Sequence, residues 1–314
     1  MRAVVYDRYG PPEVLRLEEL PRPVPGPKQV LVEVAATSVN LADWECLVGS
    51  PAYARYSGLR RPGNRVLGSD IAGRVAAVGS QVSGFAVGDE VYGECPMGGF
   101  AEYAVARASM LTHKPAGLTF AQASTLPQAG AIASQGVAGA GPGSRVLING
   151  AGGGSGTFAV QLAKVAGAHV IGVDNAAKLD LINSLGADEV VDYGVTDFTD
   201  LDPCDLVLDL AAQRSVFAFR RILAPGGRYL VVGGPTRTLV RTATAGRLVG
   251  LSGGRRIGVL VVRPGPTSYA DLAARCAAGQ VEVRIDRTVG LDGVPGALGL
   301  VGTGRVLGKI VVEP

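Results

Sequence analysis

A doubly wound parallel α/β sheet joined to a compact β domain is the fold class this sequence predicts, and three observations predict it. An apolar β-type run, Val146-Leu147-Ile148, passes straight into the glycine cluster of residues 150–156, and a proline-free helical stretch follows. Strand-like and helix-like segments then alternate as far as Ile257–Val262, the rhythm of a parallel sheet covered by helices. Before Pro115 the pattern differs: short β-type runs are cut by Gly and Pro, with no long helical period.

Composition bounds the function. A chain of 314 residues is long enough for two domains with substantial cores. Hydrophobic residues make up 47% and charged residues 18%, as in a globular protein, and no apolar run approaches bilayer-spanning length. Net charge is only +3 and the basic residues are scattered, with no run longer than an adjacent pair such as Arg255-Arg256, so neither a nucleic-acid nor a membrane partner has an electrostatic basis. Cys46, Cys95, Cys204 and Cys276 lie far apart, which predicts reduced thiols. The opening Met-Arg-Ala-Val-Val-Tyr carries neither an apolar signal core nor an Arg/Ser presequence, and a cytoplasmic location is expected.

In the first part, Ala3–Tyr6, Gln29–Val34, Ile71–Val78, Glu90–Tyr92 and Phe100–Val105 read as strands of a barrel-like domain, with Leu20–Pro27 as an exposed connector. Ser38-Val39-Asn40-Leu41-Ala42-Asp43-Trp44 gathers polar and aromatic groups where a core would take aliphatics, a composition that suits a cleft lining. Thr119–Leu126 opens on an N-cap threonine, and Ala131–Gly136 has small residues suited to close helix packing.

The central unit follows. In the frame Ala151-x-Gly153-x-x-Gly156, with Gly154 and Ser155 inside it, the small first residue permits a tight turn. Gly153 then admits a pyrophosphate to the backbone, and Gly156 lets helix and strand pack closely. The helix Thr157–Ala168 would offer its N-terminal N–H groups to the anion. The next strand, His169–Val173, ends in Asp174, at the spacing where an acidic residue reads a ribose hydroxyl. Helix Ala176–Leu185, strands Glu189–Tyr193 and Asp205–Leu210, helix Ser215–Leu223, the turn Pro225-Gly226-Gly227 and strand Arg228–Val232 continue the alternation. Pro235–Gly254 reads as a compact connection to the sixth strand. The remainder, with helix Tyr269–Ala278, β run Val281–Asp286 and strand Lys309–Val312, is too short for a third domain and is expected to complete the first.

Several further stretches stand in an order that resembles the medium-chain dehydrogenase/reductase superfamily from end to end. They include Ser38-Val39-Asn40-x-x-Asp43-Trp44, Leu67-Gly68-Ser69-Asp70-x-Ala72-Gly73, Val87-Gly88-Asp89-Glu90-Val91 and Gly99-Phe100-Ala101-Glu102-Tyr103. Leu118-Thr119, Ala159-Val160-Gln161-Leu162-Ala163-Lys164, Leu185-Gly186-Ala187-Asp188 and Leu223-Ala224-Pro225-Gly226-Gly227 continue the series. The likeness is greatest to the zinc-independent quinone oxidoreductase branch, including the reticulon-4-interacting-protein-like reductases. It implies a GroES-like β-barrel catalytic domain, 1–117 with 264–314, and a Rossmann dinucleotide-binding domain, 118–263.

Zinc-dependent members of that superfamily need Cys or His ligands with a carboxylate, plus a lobe of four Cys. Here the segment resembling the family's Gly-His-Glu is Gly68-Ser69-Asp70, only Cys95 falls where the lobe would stand, and His113 and His169 belong to other stretches, so no metal is expected. Without a Lewis acid, the reaction that remains is hydride delivery from a reduced nicotinamide to a quinone, an α,β-unsaturated ketone or an enoyl group. The resemblance sets Asn40 beside nicotinamide and acceptor, with Asp43 in the same catalytic segment, Gly233 and Gly234 on the other side, and Lys309 among the cofactor contacts. Asp70 reads as a residue that caps or turns the backbone. Tyr53 stands about two residues beyond the spacing of the proton-donor tyrosine that the resemblance to enoyl reductases implies; the other reading is an amphipathic tyrosine on a mobile lid.

On the cofactor, two signals oppose each other. Asp174 favours NADH, because a carboxylate bonds the 2′-hydroxyl and repels a 2′-phosphate. Lys178, and Tyr193 by its likeness to a tyrosine of NADPH-using quinone reductases, favour NADPH, which is the leading expectation with NADH as the alternative. Two other readings stay open: a nucleotide-binding or regulatory protein without turnover, and a reductase of a bulky biosynthetic intermediate. A small-molecule substrate is expected, and the resemblance alone implies a homodimer through Ile257–Val262.

Overall fold

The computed structural model describes residues 1–250 and 253–314, apart from the side chains of Val216, Arg247 and Leu248. Its contacts define two compact units, Met1–Ala131 with Arg263–Pro314, and Ile132–Val262.

The first unit begins with the antiparallel pair β1 (Arg2–Val5) and β2 (Arg16–Glu19). Its long central strand is β3 (Gln29–Val39), followed by β4 (Asp70–Val78), β5 (Glu90–Glu94), β6 (Tyr103–Arg107) and β7 (Leu111–His113). Helix α1 (Leu41–Val48) leaves the end of β3 through a reciprocal cap between Asn40 and Asp43. Sequence patterning left α1 unread because it is only two turns long and buries a narrow stripe, Asp43, Cys46 and Leu47. Helix α2 (Phe120–Ser124) starts at Thr119, whose hydroxyl accepts from the Gln122 N–H, and α3 (Pro127–Gly136) follows. Since α2 packs on β3 and β4, residues 118–131 group with the first unit and not with the nucleotide-binding part.

The second unit alternates strand and helix: β8 (Arg145–Asn149), α4 (Gly154–Val165), β9 (His169–Asp174), α5 (Leu179–Ser184), β10 (Glu189–Asp192), β11 (Cys204–Asp209), α6 (Val216–Ile222), β12 (Leu223–Val231), α7 (Thr236–Gly250) and β13 (Arg256–Val259). The sheet order is β10-β9-β8-β11-β12-β13, and every pairing in it is parallel. This is a Rossmann sheet whose strand order reverses between β8 and β11, the position at which such sheets bind nucleotides. Buried Leu147, Ile171, Val207, Phe219 and Tyr229 fill one of its faces. The connection Pro235–Gly254 is mostly helix α7, while Leu251 and Ser252 within it lie outside the described residues. Its apolar residues are too sparse to mark it as a helix in the sequence.

The chain then returns to the first unit with α8 (Ala270–Ala277), β14 (Ile285–Val289), α9 (Val294–Gly302) and β15 (Lys309–Val312). β15 pairs antiparallel with β3, giving the order β14-β15-β3-β4-β5-β7, with β6 also on β3. The β run expected at Val281–Asp286 starts at Ile285, where pairing to Lys309 begins. Gly302 lies so close to Trp44 that a Cβ would come within 2.3 Å of the indole, so α9 needs glycine there to approach α1.

Candidate functional site

In the second unit, three of the five glycines between β8 and the first turn of α4 have different duties. A Cβ on Gly156 would sit 2.2 Å from the Gly150 carbonyl oxygen, so this position is forced by packing of helix against turn. A Cβ on Gly152 would strike Lys178 at 2.7 Å. Among the described residues outside its own chain neighbours, such a Cβ at Gly153 meets only the Gly150 oxygen, at 3.4 Å, so the turn leaves space above its backbone that a side chain would fill. Gly153 is the N-cap of α4, which therefore begins at Gly154, three residues before the expected Thr157. Gly154, Ser155 and Gly156 form the first turn of this helix, whose N–H groups have no partner within the helix. Ala151 is fully buried behind them. The cradle fits a dinucleotide pyrophosphate, which would fill the open space at Gly153 and take these N–H donors.

Asp174, at the end of β9, is already engaged. Its Oδ2 accepts from the Gly152 N–H at 3.0 Å, its Oδ1 accepts from the Asn175 backbone and side-chain N–H groups at 2.9 and 3.0 Å, and the Lys178 ammonium stands 3.7 Å away. Both members of this pair are buried. Tyr193 is half exposed, and its N–H donates to the Asp174 carbonyl at 3.2 Å. The structure thus brings Asp174, Lys178 and Tyr193 to one end of β9, beside the glycine turn.

A further group at the carboxyl edge of the sheet escaped sequence reasoning. Asp209, fully buried at the end of β11, accepts from Asn149 Nδ2 at 2.8 Å, from the Ala211 and Ala212 N–H groups at 3.1 and 2.9 Å, and from the Tyr229 hydroxyl at 2.7 Å. It pins together the ends of β8, β11 and β12. An acid closing an apolar run, as in Asp205-Leu206-Val207-Leu208-Asp209, was the available signal. Gly233 and Gly234 follow β12 with φ of +66° and +92°, and a Cβ on Gly234 would lie 2.3 Å from that of Ala212, so the strand can leave the sheet there only as glycine.

In the first unit the buried polar cluster centres on Asn40. Its Nδ2 donates to Asp70 Oδ2 at 2.9 Å, and its Oδ1 accepts from the Lys309 ammonium at 2.5 Å. Lys309 also donates to the Val39 carbonyl at 3.1 Å and lies 4.0 Å from Asp70 Oδ2. Asp70 accepts in addition from Ser38 Oγ at 3.2 Å and the Gln128 N–H at 3.2 Å. Burial raises the Asp70 pKa against the Lys309 charge that lowers it, and burial lowers that of Lys309. Lys309, expected among cofactor contacts, is found on Asn40 within the first unit. Asp43, expected in the catalytic set, serves the backbone: its carboxylate accepts from the Asn40 N–H at 2.9 Å and the Gly68 N–H at 3.1 Å, and burial pushes its pKa up to about 7. Tyr53 is 41% exposed, and its hydroxyl contacts both carboxylate oxygens of Glu45 at 3.1 Å.

The donor set does not fit zinc. Asp70 already faces an ammonium, and burial pushes the Cys46 thiol up to about 12 and that of Cys95 higher still, so neither is a ready thiolate. His113 pairs with Asp89 and His169 with Glu189. Among the described residues no group of three or more His, Cys, Asp or Glu is close enough to hold a metal ion. Among them too, no helix is long and apolar enough to cross a membrane.

A Rossmann sheet with an open glycine turn, in one chain with a β unit whose C-terminal strand β15 returns to pair with β3, defines a medium-chain dehydrogenase/reductase. Residues 26–116 match the family model described as the alcohol dehydrogenase GroES-like domain, and residues 185–312 match the one described as zinc-binding dehydrogenase. The chain is 33% identical to the chloroplastic quinone-oxidoreductase QR1 of Triphysaria versicolor, covering 100% of this chain and 98% of that one. It is also 33% identical to the 2-methylene-furan-3-one reductase of Solanum lycopersicum, over 100% of this chain and 79% of that one. The solved quinone oxidoreductase of Coxiella burnetii superposes with a TM-score of 0.91 at 30% identity, covering 100% of this chain and 99% of that one. The chain belongs to the quinone oxidoreductase branch of the medium-chain dehydrogenase/reductase superfamily and is an NAD(P)H-dependent oxidoreductase.

Proposed function

We propose that this chain is a zinc-independent, NADPH-dependent reductase that delivers hydride to a quinone or an α,β-unsaturated carbonyl compound. The observation that carries this reading is the Lys309 ammonium buried 4.0 Å from Asp70, in the segment where the sequence resembles metal-dependent relatives. A fixed protein cation beside Asp70 removes the electrostatic call for a metal ion, and an alcohol would then lack the Lewis acid that lowers its pKa. An acceptor that is already electron-poor needs none. The names of the Triphysaria and tomato relatives, a quinone oxidoreductase and a methylene-furanone reductase, point to the same two acceptor classes.

When bound, the reduced nicotinamide supplies the hydride. The chain's own part is to orient and to manage the proton. Asn40 offers an amide N–H to the acceptor oxygen, and Gly153 to Gly156 hold the pyrophosphate. The Tyr53 hydroxyl, with Glu45 behind it, is the candidate proton donor, with water as its rival. Preference for NADPH is supported by the state of Asp174. Three N–H donors and the Lys178 ammonium neutralise its carboxylate, which weakens the repulsion a bare carboxylate exerts on a 2′-phosphate and leaves Lys178 and Tyr193 to receive it.

We also propose a homodimer through the stretch Ile257–Val262, in which β13 is the last strand of the sheet and Val261, just beyond it, is 83% exposed. Sedimentation analysis showing a monomer at all concentrations would remove that proposal. The catalytic proposal is tested by steady-state oxidation of NADPH and NADH against a panel of quinones, enones and simple alcohols. Turnover confined to the first two classes supports it, and cofactor binding without turnover favours the regulatory reading.

A further inference from the structure

The Asn40 amide is held at both ends by groups of opposite charge. Its oxygen accepts from the Lys309 ammonium at 2.5 Å, and one of its N–H groups donates to the Asp70 carboxylate at 2.9 Å. Neither contact can be reversed: an ammonium has only donors and a carboxylate only acceptors, so an amide turned over by 180° would set donor against donor and acceptor against acceptor. All three side chains are at least nine-tenths buried, at 6%, 0% and 3% exposure for Asn40, Asp70 and Lys309, so water cannot compensate such a mismatch. The anchors are themselves fixed. Lys309 also bonds the Val39 carbonyl on the neighbouring strand, and Asp70 accepts from Ser38 and from the Gln128 N–H. The arrangement uses the amide oxygen and one N–H and leaves one N–H of Asn40 with no partner among the described residues.

We propose that Lys309 and Asp70 are positioning residues that lock the Asn40 amide in one orientation, so that its remaining N–H is presented as a donor to the oxygen of the acceptor on which negative charge develops. This rests on the reading of Asn40 given above, and it assigns Lys309 to the amide and not to the cofactor. The charged pair holds the amide without reorganisation during the reaction, the condition under which a single donor is most effective.

The test uses the full-length enzyme, with NADPH affinity read by fluorescence titration, kcat and KM measured with a small ortho-quinone, and stability read by thermal unfolding. Lys309→Met alone leaves a buried carboxylate without its counter-charge and is expected to lose stability. The double variant Asp70→Asn/Lys309→Met removes both charges. The amide it introduces at position 70 carries an acceptor as well as donors and the methionine neither, so nothing any longer fixes which way the Asn40 amide faces; stability recovers while kcat stays roughly 10- to 100-fold low, the range for a lost hydrogen bond in the transition state, with NADPH affinity within about threefold.

A double variant whose kcat returns along with its stability would overturn the lock and leave the cluster merely structural. Affinity for NADPH falling in step with kcat would return Lys309 to the cofactor. If the double variant fails to fold, Asp70→Asn/Lys309→Gln decides the matter. It balances the charge and offers Asn40 a donor or an acceptor on either side, so the amide is no longer fixed in one orientation; it should fold, bind NADPH and keep the lowered kcat, and full kcat there overturns the proposal. The underlying reading fails separately: Asn40→Ala with unchanged kcat would show that no donor is needed at this position at all.

Discussion

The Asp174 carboxylate accepts a hydrogen bond from the Gly152 N–H at 3.0 Å, so the acid that ends the second strand of the Rossmann unit is also the tether of its glycine turn. An acid at this position is ordinarily a reader of the ribose, and the two duties predict different mutant behaviour. If tethering dominates, Asp174→Ser unties the turn and weakens NADPH and NADH alike by about 1–3 kcal/mol, the cost of a lost charge-assisted hydrogen bond. Calorimetric titration of both cofactors checks this. An Asp174→Ser variant that binds NADPH better and NADH worse would make the carboxylate a ribose reader.

Lys178→Ala is expected to act on one cofactor only. Losing the ammonium 3.7 Å from Asp174 removes a partner for the 2′-phosphate and restores the bare charge of the carboxylate. NADPH affinity should fall by about 1.5–3 kcal/mol while that of NADH stays nearly constant. Equal losses for both cofactors would show general damage to the buried pair.

Two glycines of one turn should respond in opposite ways. Gly153→Val points into open space, with only the Gly150 oxygen at 3.4 Å, so the fold should persist while NADPH affinity falls by on the order of 100-fold or more, equivalent to about 2.7 kcal/mol. Gly156→Ala places a Cβ 2.2 Å from that same oxygen, and its first effect should be on unfolding, by about 1–3 kcal/mol of overpacking strain. Circular dichroism melts paired with fluorescence titration separate the two. A Gly153→Val variant that is folded and binds normally would mean the pyrophosphate lies elsewhere.

The pH dependence of stability should carry the mark of Glu94. Burial, and then the nearby Asp70 charge, push this half-buried carboxyl up to about 7, against the Gly265 N–H that bonds it at 2.8 Å. A carboxyl raised in the folded state binds its proton more tightly there than in the unfolded chain. Stability is therefore greatest at low pH on this account, declines as pH rises from about 4.5 to about 7, and levels off above. Glu94→Gln keeps an acceptor for Gly265 and should flatten that slope, by roughly 1–2 kcal/mol once solvent screening of a half-buried group is allowed for. Urea unfolding at pH 5 and pH 7.5 reads the difference, and an unaltered slope would acquit Glu94.

The Rossmann half was legible because its signals are local. The run Val146-Leu147-Ile148 and the glycines after it specify strand, turn and helix within a few residues of one another. The helical part of Pro235–Gly254 was hidden because its inward stripe, Leu239, Thr242, Gly246 and Val249, mixes a threonine and a glycine with the aliphatics, and α1 because eight residues bury too narrow a stripe. The candidate site was readable in parts but not in its connections. Asn40 stood out as a polar residue in an apolar context, whereas its bonds to Asp70 and Lys309 join residues 30 and 269 positions away. Such a pairing is fixed by the antiparallel register of β3 with β4 and β15, which no local pattern encodes. Lys309 and Asp43, read from the sequence only as members of the site, are found bonded to Asn40, Val39 and Gly68, contacts that no local pattern names.

The central claim is a hydride transfer to an electron-poor acceptor that this chain supports without a metal. Its most direct test is a single-turnover experiment in which enzyme dialysed exhaustively against a chelator, with metal content verified by mass spectrometry, is loaded with NADPH and mixed with a small quinone or enone. The account predicts loss of NADPH absorbance at least roughly 100-fold faster than in enzyme-free buffer, a gain well within what orientation and one preorganised donor supply. It also predicts no further gain on adding zinc. NADPH that binds but persists through the mixing, or oxidation that appears only when zinc is restored, would contradict it.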